Sequence, residues 1–359
     1  MDLNREIDII VILLKGLNMS YKQITEVIPR VSSKSEVSGN IEKASGKSKL
    51  FNRFLLQLTG QALSQRDLKG KETAEVNGVV LAGAMEQIEG GDTVYAEIPG
   101  QSFKIEMGMT ASKADYHEPM DALGGVVMKV INPKNKQEFE VALAFIADGV
   151  SMVNNDQARD SAAISQVACS IGMRSMQEQI KRRGGYDMDI TYTDIRNELR
   201  KRGLSHGATT FQMLVVTPSE KQDNQALALV YSFGSTRNRN GKSDLGPVLF
   251  YGPDGALSNS YFMGINQPDQ FMTGDGRLLN YDLQAYRIPS GGKVVLTTDG
   301  NLNPDNLTEK QTNVKKGENF RQFFRKITGS GRGEVNPDDT SLVSITVGDD
   351  IKRVSSIKK

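Results

Sequence analysis

Three aspartates in this chain occupy positions suited to holding a cation. Phe145-Ile146-Ala147-Asp148-Gly149 is an apolar run that ends in Asp-Gly, and Val294-Val295-Leu296-Thr297-Thr298-Asp299-Gly300 repeats that design. Pro337-Asp338-Asp339 opens a third apolar run, Leu342-Val343-Ser344-Ile345. Each run reads as a buried strand, and a strand end is a rigid mount for a charged ligand. The glycines after Asp148 and Asp299 allow another group to approach closely. A single Asp-Gly after a strand is an ordinary turn signal. Several in order, with Asp121 as a further candidate upstream, point to a shared centre. Converging carboxylates repel one another and shift each other's ionisation. Divalent cations remove that conflict, and two of them form the usual clamp for attack of water on a phosphoryl group.

The elements that must carry these residues follow from the chain's texture. From about Val76 the sequence reads as strands: Gly78–Ala82, Thr93–Ile98, Ser102–Met109, Gly125–Val130 and Glu138–Ala147. Two helical segments are predicted next, over Asp160–Arg182 and Thr193–Arg202, with Asp160 as a helix cap. Further strands are predicted at Thr209–Val216, Ala226–Phe233, Val248–Tyr251, Lys293–Thr298 and Leu342–Val347, with a helix at Glu318–Ile327 before the last. Strands, a helical block and more strands define an α+β class with antiparallel sheets and helices packed outside.

Residues 1–70 read as a helical extension with a regulatory or docking role. Ile7, Ile10, Val11 and Leu14 recur at helical spacing, and Ser20 to Gln23 form a capping-box pattern. Residues 76–348 form the main domain, and 349–359 a basic, disordered tail. A helix-turn-helix reading of the first segment lacks a recognition helix, because Pro29–Lys47 is basic but has poor apolar periodicity.

Composition narrows the chemistry. The 359 residues include one cysteine, Cys169, and two histidines, His117 and His206. An internal disulfide and a zinc-type Cys/His cluster are both excluded. Any cation must be held by oxygen, which favours magnesium or manganese. A net charge of +1 gives no global pull toward nucleic acid or membrane. The apolar run Ile9–Leu14 is too short to span a bilayer, so the expected location is the cytoplasm. Cys169 shares a helical face with Ile164 and Val167 and reads as core.

In the order of these motifs the chain resembles the metal-dependent protein phosphatases of type 2C, the PPM-type serine/threonine phosphatases. The matching segments are His117-Glu118-Pro119-Met120-Asp121-Ala122, Ala147-Asp148-Gly149-Val150-Ser151, Phe233-Gly234-Ser235-Thr236-Arg237, Thr298-Asp299-Gly300 and Asp338-Asp339-Thr340-Ser341. Gly207-Ala208-Thr209-Thr210 resembles the small-residue strand that follows the helical block. The resemblance covers roughly residues 76–348.

The resemblance implies a β-sandwich flanked by helices, with two Mn2+ or Mg2+ ions in a cleft at one end. Asp148 would bridge both ions, with the Gly149 carbonyl completing one shell. Asp299 and Asp338 would hold the other ion, and Asp121 would orient metal-bound water. The water bridging the ions would be the nucleophile, acting on phosphoserine or phosphothreonine in a phosphoprotein, the target of a serine/threonine kinase. Nucleic acid and membrane are not expected as partners.

Ser235 replaces the Asp of the family's accessory third metal site, which implies two ions rather than three. Met120 replaces a Glu or Gln that bonds metal-bound water, and Val150 replaces the histidine acid of some members. The phosphate-gripping Arg of some members has no match; Lys113 or His117 are the candidates to substitute for it. These departures also support an alternative, a non-catalytic relative that uses the fold to bind a partner.

Overall fold

The computed structural model describes residues 79–83, 93–110, 120–131, 137–150, 155–183, 186–204, 206–219, 222–233, 246–261, 281–298, 313–315, 317–328, 339–349 and 351. The extension over 1–70 and residues 352–359 of the tail lie outside the described residues.

Two antiparallel sheets of six strands each stack face to face. Sheet A runs β1 (Val79–Gly83), β4 (Ala122–Ile131), β5 (Glu138–Gly149), β6 (Thr209–Pro218), β7 (Gln225–Phe233) and β10 (Tyr281–Pro289). Sheet B runs β2 (Thr93–Ile98), β3 (Phe103–Thr110), β12 (Thr340–Val347), β11 (Lys293–Thr297), β8 (Val248–Tyr251) and β9 (Leu257–Tyr261). Helices α1 (Asn155–Arg183) and α2 (Met188–Lys201) cover the outer face of sheet A, and α3 (Phe320–Thr328) covers sheet B. The architecture is α+β, as the pattern of elements predicts.

The central strand β5 explains why its sequence is an unbroken apolar run. Val141 to Ala147 are all buried, because helix α1 lies on one face and sheet B on the other. Small residues set the spacing of the layers. A Cβ on Gly125 would sit 3.1 Å from Ile105 Cγ2 of sheet B. On sheet B's outer face, Phe320, Phe323 and Phe324 of α3 pack on Tyr95, Leu249, Tyr251, Val295 and Leu342.

Polar bonds pin the sheets together at both ends. At one end the buried Glu140 carboxylate accepts the Gln101 and Ser102 N–H groups at 3.0 and 2.6 Å, holding the β2–β3 turn to β5. The other end carries the aspartates. Asp148 lies eight residue steps along β5 from Glu140, about 26 Å at ordinary strand rise.

Several elements differ from the sequence expectation. Helix α1 already runs from Asn155, so Asp160 lies within it and is not its cap. Helix α2 starts at Met188, five residues before the predicted Thr193, because Asp187 caps it. The Asp187 carboxylate accepts from the N–H groups of Asp189 and Ile190 at 2.8 and 3.4 Å. Strands β9 and β10 are additions to the predicted set. At the C-terminal side Ile351 is buried, and its carbonyl accepts the Asn224 N–H at 2.9 Å. Among the described residues no helix is long and apolar enough to cross a membrane.

Candidate metal centre

Asp121 and Asp148 face one another across adjacent strands. The β4–β5 register pairs Ala122 with Ala147, so one step further places Asp121 beside Asp148, and Asp148 pairs with Thr210 on β6. Both aspartates are buried, Asp121 at 1% and Asp148 at 7% exposure. Asp148 stands at the end of β5 and Asp121 just before β4, on the sheet face that meets sheet B.

Sheet B reaches this point through two long-range bonds. The Thr298 hydroxyl donates to Asp121 Oδ2 at 2.8 Å and accepts the Ser341 N–H at 2.9 Å. Asp339 Oδ2 accepts the Met120 N–H at 2.5 Å, and Asp339 is itself buried. Thr298 immediately precedes Asp299, and Asp339 immediately follows Asp338. Asp299 and Asp338 lie outside the described residues, but their chain neighbours are bonded to Asp121 and to the residue before it.

The end of β5 is locked from below. Thr209 Oγ1 donates to the Asp148 carbonyl at 2.7 Å and lies 2.9 Å from Ser165 Oγ of α1. Ala208 N–H donates to Ser161 Oγ at 3.1 Å, and Val150 N–H donates to the Ala208 carbonyl at 2.9 Å. Gly207 packs directly on the backbone between Asp160 and Ser161, so the small-residue segment before β6 is a close contact with α1.

Gly149 is required by packing. A Cβ there would stand 2.7 Å from Met120 Cβ and 2.9 Å from the Met120 carbonyl oxygen. Met120 is buried and pairs with Ala162 of α1 in a small apolar cluster. It therefore fills space behind the aspartates, where a Glu or Gln would bring a polar head.

Cys169 is buried, and its thiol donates to the Ala122 carbonyl at 3.3 Å. Burial, aided by the nearby Asp121 charge, pushes the thiol well above its ordinary range. It is inert core, as its helical face predicts.

The donor chemistry suits a hard divalent cation. The described donors are carboxylates and backbone oxygens, which magnesium and manganese prefer. Among the described residues no group of three or more His, Cys, Asp or Glu side chains gathers, so the described part of the centre is the Asp121–Asp148 pair. Lys113, His117 and Ser235 lie outside the described residues. Thr298 and Asp339, bonded to Asp121 and Met120, were not singled out from the sequence; the Thr-Thr-Asp and Asp-Asp segments are their only trace there.

The molecule is thus a helix-flanked sandwich of two sheets with buried carboxylates at one end. Solved structures of similar fold include RsbX in complex with magnesium, at 14% identity and a TM-score of 0.41, over 71% of this chain and 100% of that one. The PPM Ser-Thr phosphatase MsPP from Mycobacterium smegmatis, in complex with cacodylate, aligns at 12% identity and a TM-score of 0.40, over 72% and 100%. A phosphatase from Toxoplasma gondii aligns at 10% identity and a TM-score of 0.46, over 73% and 98%. No protein-family model matches the sequence, and no curated protein matches it.

Proposed function

We propose that the chain is a magnesium- or manganese-dependent phosphatase acting on phosphoserine or phosphothreonine in proteins, with a kinase-modified protein as its substrate. One observation carries this reading. Asp121 and Asp148 are buried side by side at the end of the sandwich, and the neighbours of Asp299 and Asp338 are bonded into the same place. The bonded neighbours, Thr298 and Asp339, support the reading that Asp299 and Asp338 belong to the same centre.

Asp148, Gly149 through its carbonyl, Asp299 and Asp338 would hold two ions, with Asp121 beside them. Two bound cations would lower the pKa of water and offset the charge of the phosphoryl oxygens. The chain's own contribution is placement. Thr298 fixes one oxygen of Asp121, and Thr209 fixes the backbone of Asp148. Both carboxylates are thereby held in a largely water-excluded setting, where charge interactions are strong. Lys113 and His117 are proposed as contacts to the substrate phosphate.

Calorimetric titration of the purified protein with manganese tests the metal reading. Two bound ions are expected, with binding lost or strongly weakened in Asp148→Asn; no binding by the folded protein would sink it. The buried Met120 side chain favours a second reading, a non-catalytic protein that keeps the ions to hold a partner. Two-site binding without hydrolysis of any phosphopeptide supports that reading, and robust turnover excludes it.

A further inference from the structure

The inner face of sheet A is polar beyond the aspartates. Residues paired across its strands form rows. Asp121, Asp148 and Thr210 make the first. Leu123, Ile146, Gln212 and Ser232 make the second, and Gly125, Ala144, Leu214 and Val230 the third. The third row is apolar, as a sandwich core should be. The second is apolar on β4 and β5, then turns polar on β6 and β7.

Gln212 is fully buried, at 0% exposure. Neither its Oε1 nor its Nε2 has a hydrogen-bond partner among the described residues. The same holds for Ser232 Oγ opposite it and for Thr210 Oγ1 in the first row. A glutamine amide offers two donors and an acceptor. Leaving such a group dry and unpaired costs about 1–3 kcal/mol. A leucine or methionine would fill the space without that penalty, so the amide calls for an explanation in terms of what it binds.

Its position supplies one. Asp148 pairs with Thr210, so Gln212 is its diagonal neighbour on the same face. Diagonal pairs lie about 7–8 Å apart at Cα, within reach of a long side chain. We propose that Gln212 is a positioning residue of the metal centre. Its amide, with the Ser232 hydroxyl opposite, would bind water between itself and the Asp148 carboxylate, and so would orient that carboxylate for the cations that Asp148 would hold. This rests on the metal reading above. Groups that orient a ligating carboxylate without touching the ion typically change metal affinity by about 10–100-fold.

The experiment compares wild type, Gln212→Met and Ser344→Ala. Methionine keeps the volume and removes the hydrogen bonds. Ser344 also has a buried, unpaired hydroxyl, but on β12 it alternates with Val343 and Ile345, which face sheet A, so it lies on the α3 side. Thermal melting without metal and manganese affinity by calorimetry are read for each. Gln212→Met is expected to melt about 2–4 °C higher without metal, because an unpaired buried amide is gone. Its manganese affinity is expected to fall about tenfold. Ser344→Ala should bind manganese as wild type does. A Gln212→Met protein that binds manganese like wild type overturns the inference and leaves the metal reading standing. A lower metal-free melting temperature for Gln212→Met also overturns it, since the amide would then be a satisfied structural group. A wild type that binds no manganese removes both.

Discussion

Thr298→Val tests the link between the two sheets at the aspartate end. Valine keeps the branched shape and removes one hydroxyl. That hydroxyl donates to Asp121 Oδ2 at 2.8 Å and accepts the Ser341 N–H at 2.9 Å, and all three residues are buried. A hydrogen bond to a charged group contributes about 1.5–3 kcal/mol. The Ser341 N–H left without this acceptor adds a penalty of about 1–3 kcal/mol. Valine's extra apolar methyl offsets about 1 kcal/mol. The expected loss is therefore about 3 kcal/mol. Urea unfolding of the metal-free protein reads it as a drop of about 1 M in midpoint at unchanged slope. A double-mutant cycle with Asp121→Asn isolates the pair, and a coupling of at least about 1 kcal/mol is expected. A loss below about 0.5 kcal/mol, or no coupling, would show that the hydroxyl is replaceable by water and that the sheets are not joined through Asp121.

Gly149→Ala should destabilise by about 1–3 kcal/mol, because its Cβ would press on Met120 Cβ at 2.7 Å and on a backbone oxygen at 2.9 Å. Chemical denaturation checks it, and an unchanged midpoint would mean that the Met120 segment yields freely. Asp194 supplies a pH test. Burial raises its carboxyl above the ordinary 3.8, and the Ser175 hydroxyl bond only partly opposes that. The folded state thus favours the protonated form. This contribution to stability is present below pH 3.8 and is lost as pH rises through the folded value. Asp194→Asn should therefore flatten the stability profile just above pH 3.8 and raise stability at neutral pH. A profile that still falls across that window in the variant would contradict this assignment.

The parts of the fold legible in the sequence were those set by local pattern. Strand β5 and strand β11 announce themselves as apolar runs ending in Asp-Gly, and the structure places both as interior strands. Strand β10 did not, because Tyr281–Pro289 mixes apolar and polar residues on both faces of an edge strand. The start of α2 was obscured by Ile190, Thr191 and Thr193, whose branched side chains disfavour helix; the Asp187 cap outweighs them. At the candidate site, Asp148 was visible from its strand, whereas Asp121 was identified only through the ordered motifs. The bonds that hold them were not legible. Thr298 and Asp121 are 177 residues apart, and Asp339 and Met120 are 219 apart, so no window of sequence contains either pair. Gln212 was hidden for the opposite reason. A lone glutamine in a strand reads as solvent-facing, and only the register shows that it lies in the inner row beside Ile146.

The proposed function requires that the buried aspartates hold ions that drive phosphate release. The most direct measurement is the rate of hydrolysis of a phosphoserine peptide as a function of manganese concentration, for wild type and for Asp148→Asn. Saturable, manganese-dependent release by the wild type is predicted, with a loss of at least about a hundredfold in the variant. Release that ignores manganese, or that survives Asp148→Asn, would contradict the account.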